Sequence, residues 1–238
     1  MKHKITILIL SFFLGILSSF SLPPYNFIFL NFFTFPIFLY LIINSYKKKL
    51  LQFSIGWLFG FGYFLSNTYW ISNSLTFDEN LKPFIPITLI IIPLFLGLFY
   101  GLATLVISFI KLEKNFYSIL IFSVSFSLFE FLRGFIFGGF PWNLIVYSWT
   151  SYINSIQILS FIGTYSFNLI STTIFLLPLI IFFNKNLRFK ILISIVLATV
   201  IILNNFYGYN KIKKDEQLIS KLENVKIKII SPTISINQ

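Results

Sequence analysis

The sequence predicts an all-α polytopic membrane protein of about seven transmembrane helices, with a short C-terminal extracytoplasmic tail containing an incipient β-strand. Three observations lead there. Hydrophobic residues make up 57% of the 238-residue chain and charged residues only 11%, far from the usage of soluble domains. The apolar residues fall in runs close to the roughly 20 residues that a helix needs to cross a bilayer. Lysine and arginine gather at alternate ends of those runs, the asymmetry that orients membrane helices.

The runs are Ile5–Leu22, Phe27–Ile43, Leu51–Ile71, Phe84–Ile110, Phe116–Phe137, Ile158–Phe183 and Phe189–Phe206. The first resembles a signal peptide, but another apolar run begins after only Pro23-Pro24-Tyr25-Asn26, so it reads as a span. The third holds Gly56, Gly60 and Gly62, a spacing that allows close helix contact and makes these glycines structural candidates. The fourth is interrupted by Pro86 and Pro93, which predicts a kink. Residues 143–157 are mixed in polarity and read as an interfacial or re-entrant piece anchored by Tyr147, Trp149 and Tyr152.

Charge then orients the chain. Lys2, Lys4, Lys47, Lys48, Lys49, Lys111, Lys114, Lys185, Arg188 and Lys190 fall on one side and only Lys82 in the opposite short loops, which places the N-terminus in the cytoplasm. The same distribution explains the net charge of +11 without nucleic acid as a partner. Past Phe206 the chain turns polar, and Val225–Ile229 alternates with a period of two, as a strand does. The domain division is therefore 1–206 for the helical membrane part and 207–238 for a tail outside it.

Chemistry-bearing residues are few. The chain has no cysteine and a single histidine, His3, which reads as solvated in a charged terminus. A cysteine nucleophile, thiolate metal sites and a serine–histidine triad are thereby disfavoured, and no metal or cofactor is expected. The exception to the apolar pattern is Glu130-Phe-Leu-Arg133-Gly134, followed by Gly138-Gly139-Phe140-Pro141-Trp142. An acid and a base three residues apart share a helix face. At mid-bilayer each would cost about 2.5–3.5 kcal/mol on insertion scales, so both are expected to turn inward and neutralise each other. Gly134 and Gly139 permit the reversal that follows. Trp142, Pro141 and Trp70 are candidates for the mouth of a lipid crevice, with Glu130 and Arg133 beneath as a structural pair or a polar anchor.

These residues resemble the membrane-domain signature of bacterial apolipoprotein N-acyltransferases. Glu130 to Gly134, Gly139 to Trp142 and Tyr147-Ser148 carry the resemblance, joined by Pro24-Tyr25, the Gly56-Trp57-x-x-Gly60-x-Gly62 run leading to Trp70, and Gly163. Val225–Gln238 resembles the opening strand of that family's periplasmic nitrilase-like domain. The resemblance implies a multi-pass protein of the bacterial inner (cytoplasmic) membrane whose tail is periplasmic. Its reaction moves an acyl chain from a membrane phospholipid to the N-terminal amine of a diacylglyceryl-cysteine lipoprotein, through a Glu, Lys and Cys constellation in the nitrilase-like domain. None of those three catalytic residues can be assigned here. The chain is thus expected to be a truncated or split membrane portion, inactive by itself, that a separately encoded nitrilase-like chain could complete. A non-enzymatic lipid-binding or transport protein using Glu130 and Arg133, or a decayed remnant, are the alternatives.

Overall fold

A computed structural model describes residues 2–183 and 186–220. Seven long helices are present among the described residues: α1 (Lys2–Ser19), α2 (Asn31–Asn44), α3 (Lys49–Asn67), α4 (Ile85–Ile107), α5 (Phe116–Arg133), α8 (Thr164–Phe183) and α9 (Leu187–Ile219). Two single-turn helices, α6 (Ile153–Ile156) and α7 (Leu159–Ile162), lie between α5 and α8. Four segments are long and apolar enough to cross a membrane, namely Lys82–Ile107 with α4, and α5, α8 and α9. The other three predicted spans correspond to α1 and α2, which are shorter in apolar length, and α3, which Gln52, Asn67 and its glycines make less apolar. No strand occurs among the described residues, and the predicted strand at 225–229 lies outside them.

Local sequence explains most helix limits. Asn115 caps α5 by accepting from the Ser118 amide at 3.1 Å, and Asn186 caps α9 through the Arg188 amide at 3.0 Å. Pro86 sits in the first turn of α4, where a missing N–H leaves nothing unpaired, whereas Pro93 lies inside the helix. The predicted run Ile158–Phe183 is divided. Gly163 adopts a φ of +79°, so α7 stops there and α8 starts afresh at Thr164. α9 does not end near Phe206 as the hydropathy predicts but continues through polar sequence to Ile219.

α3 is the central packing element, lying against both α1 and α4. Small residues make this possible. A Cβ on Gly62 would strike the backbone of Phe12 in α1, and one on Gly15 would strike the backbone of Phe59 in α3. On the opposite face, Gly60 meets Gly97 while Gly56 abuts Tyr100 and Thr104 of α4. Where lipid removes the hydrophobic drive between helices, such close backbone approach supplies the van der Waals contact. Polar ties complete it: Trp57 Nε1 donates to the Leu94 carbonyl at 2.9 Å, and Thr104 Oγ1 to the Gln52 carbonyl at 2.8 Å.

Aromatic rings fill the space between these helices and α2, α5 and α8. Phe38 of α2 stacks on Phe59 of α3, with centroids 4.0 Å apart, and Phe35 meets Phe126 of α5 and Phe175 of α8 edge-on or tilted. Ser18, Asn31 and Ser21 join the end of α1 to the start of α2 through hydrogen bonds of 2.7 and 2.9 Å. Replacing Gly62 with Leu is expected to destabilise the fold by about 1–3 kcal/mol through overpacking against α1. Detergent-unfolding titrations of the two proteins measure the difference.

Candidate functional site

The carboxylate of Glu130 and the guanidinium of Arg133 lie on the last turn of α5 and are both buried, at 0% and 1% exposure. They face each other at 3.7 Å, an ion pair rather than a hydrogen bond. Their hydrogen bonds go elsewhere. Tyr100 of α4 donates its hydroxyl to Glu130 Oε1 at 2.8 Å, and Asn168 of α8 donates its side-chain amide to Glu130 Oε2. Asn168 also accepts from the Val146 amide at 2.8 Å. One carboxylate thereby joins α4, α5 and α8, and through Asn168 the segment after α5.

Arg133 organises that segment. Its Nη1 donates to the carbonyls of Phe140, at 2.6 Å, and Trp142, at 2.8 Å, the two residues flanking Pro141. The Phe140 amide returns a bond to the Arg133 carbonyl at 2.8 Å. The guanidinium lies 4.9 Å from the centroid of the Phe64 ring, a contact favourable for a cation. Arg133 Nε and Nη2 have no hydrogen-bond partner among the described residues.

The chain reverses between these contacts through Phe137, Gly138 and Gly139, at φ of +57°, +86° and +77°. Glycine suits two of these positions because it lacks the Cβ that crowds left-handed backbone. At Gly139 space is limiting too, since a Cβ would strike the Gly134 carbonyl. Gly134 in turn lies under the Tyr165 hydroxyl. Tyr63 of α3 donates to the Asn143 carbonyl at 3.1 Å, so a third helix holds the same loop.

Pro141 and Trp142 are exposed above this buried layer, and Trp142 meets Trp70 edge-to-face with centroids 6.2 Å apart. Trp70 belongs to the 3-10 helix Tyr69–Phe77 that follows α3. Glu130, Arg133, Gly134, Gly139, Pro141, Trp142 and Trp70 thus form one assembly, whereas Gly56, Gly60 and Gly62 serve the helix contacts of α3. Tyr63, Tyr100 and Asn168 belong to the same network but were not singled out from sequence. Asn168, a lone amide in an apolar run, was the visible signal. Among the described residues no group of His, Asp and Glu could hold a metal.

The family model of the apolipoprotein N-acyltransferase N-terminal domain matches residues 14–177, more than half of the chain and the whole of this assembly. The chain belongs to the apolipoprotein N-acyltransferase family. Curated proteins of that name are similar to it. The one from Rickettsia prowazekii is 32% identical over 236 residues, covering 98% of this chain and 45% of the relative. Those from Sinorhizobium medicae and Brucella melitensis are 31% and 28% identical, covering 82% and 94% of this chain but 38% and 43% of the relatives. The chain therefore spans about two fifths of the length of the curated relatives it matches.

Removing one partner of a buried ion pair leaves an uncompensated charge, so Arg133→Leu is expected to cost about 3–5 kcal/mol. In combination with Glu130→Gln the loss should be at least about 1 kcal/mol smaller than the sum of the single losses. An unfolding double-mutant cycle checks this, with additivity as the contrary result. Asn168→Leu strands the Val146 amide and removes one donor from the Glu130 carboxylate, and should cost about 1–3 kcal/mol in the same assay.

Proposed function

We propose that this chain is the membrane portion of an apolipoprotein N-acyltransferase, embedded in the bacterial inner membrane with its N-terminus in the cytoplasm. It would provide the platform on which a phospholipid acyl donor and a diacylglyceryl lipoprotein are brought together. One observation carries this reading: residues 130–142, the stretch that bears the family resemblance, form a single hydrogen-bonded unit beneath exposed Trp70 and Trp142. A rigid polar layer capped by amphipathic rings suits the level where ester groups meet hydrocarbon. The cationic loops predicted to face the cytoplasm support the orientation.

In this reading Glu130 and Arg133 are positioning residues. Their hydrogen bonds go to the protein's own side chains and backbone, and they hold the loop above them in shape. The acyl-transfer chemistry expected of the family runs through a thioester, which needs a thiolate. This sequence contains no cysteine. The nucleophile, with the general base and oxyanion donor that act beside it, would have to come from a nitrilase-like domain supplied with this chain.

Acylation of a diacylglyceryl peptide in phospholipid vesicles tests the proposal. The chain alone is expected to give no turnover, and addition of a cysteine-containing nitrilase-like chain from the same source to give product. Turnover by the chain alone would overturn the assignment of the nucleophile. Failure of every such nitrilase-like chain to bind or activate it would overturn the platform role.

A further inference from the structure

α9 is attached to the bundle unevenly. Gly208 is its single buried residue, seated against the Asn154 backbone of α6, and Asn204 donates to the Ser155 carbonyl at 3.0 Å. Lys211 donates to Ser160 of α7. Below these ties α9 stands away from α8 and leaves a groove of about 410 Å³ between them. Its walls are apolar, with Ile162, Phe167, Ile170 and Ile174 facing Val200 and Leu203. Three polar atoms nevertheless lie buried in residues of its lining without a hydrogen-bond partner among the described residues: Trp149 Nε1, Ser155 Oγ and Asn204 Oδ1. A second depression continues past Leu203 and Tyr207 to Asn210, Lys211, Lys214 and Asp215.

The geometry points to a binding site for a bilayer glycerophospholipid between α8 and α9, separate from the Glu130 layer and independent of acyl transfer. The order of chemistry along the groove matches such a lipid from tail to head. Aliphatic walls receive an acyl chain. Lys211 and Lys214, outnumbering Asp215, meet the phosphate. Depth agrees as well. α9 has 33 residues, and at about 1.5 Å per residue some 20 of them cross a hydrocarbon core of roughly 30 Å. Counted from Ile191, past the Arg188 and Lys190 of the cytoplasmic side, the core ends near Asn210, so the groove residues up to Tyr207 lie within it and Lys211 and Lys214 lie just beyond, toward the headgroups.

Native mass spectrometry of the full chain, purified in mild detergent and loaded with phosphatidylglycerol or phosphatidylcholine, tests the site. The wild-type chain should retain one phosphatidylglycerol through detergent exchange. Ile170→Trp, which fills the groove, should lower retention at least five-fold, and Ile91→Trp on the exposed face of α4 should not. Because a core-facing change can perturb folding, the exposed double substitution Lys211→Gln/Lys214→Gln gives a second reading. It should erase a preference of at least three-fold for phosphatidylglycerol over phosphatidylcholine. Equal retention by wild type and Ile170→Trp would overturn the site, as would a retained polypeptide in place of lipid. An undiminished headgroup preference in the lysine variant would overturn the placement of the phosphate.

Discussion

A carboxylate cannot be left unpaired among apolar helices, and that constraint governs how this bundle is assembled. Glu130 is held by Tyr100, Asn168 and, at 3.7 Å, Arg133, which come from three different helices. No two of those helices can shift independently without leaving a charge or an amide unpaired. The surrounding aromatic core is forgiving by comparison, because Phe rings can repack without losing a directed bond. The polar layer thus specifies one register for α4, α5 and α8, while buried phenylalanines fill the space between the helices.

Much of this was legible in the sequence. The long apolar runs predict the helices, and the spacing of Glu130 and Arg133 predicts a shared, inward face. The two groups do face each other, but their hydrogen bonds go to Tyr100, Asn168 and the carbonyls of Phe140 and Trp142. Periodicity cannot reveal such partners, since Tyr100 and Asn168 are distant in sequence and meet only through helix packing. The break at Gly163 was hidden for a related reason. Hydropathy records composition, whereas the break depends on a single backbone angle. The polar stretch from Lys211 reads as helical or extended, and that it continues the seventh run as one helix is not visible in hydropathy, because polar residues end a span without ending a helix.

The bundle has two unlike halves. α1, α3 and α4 touch through glycine, largely with backbone against backbone, so a Cβ at these positions would force them apart. α9 touches chiefly α6, through Gly208 and Asn204 near its polar end, and α8 less, and most of its length faces outward. Such an arrangement combines a stiff frame with one helix whose distance from the frame is set by few contacts. Glu130 and Arg133 belong to α5, which packs between these parts against α4 and α8, and the apolar groove lies between α8 and α9.

Arg133 shows what the choice of base does here. Nearly every other cation in this sequence is lysine. An ammonium is a compact point charge, whereas the planar fork of a guanidinium presents separate nitrogens in fixed directions. At position 133 one nitrogen gathers two carbonyls on either side of a proline and another faces the carboxylate. Charge balance inside the bundle and the contour of the outer rim are consequently written in a single side chain, and neither can be retuned without the other.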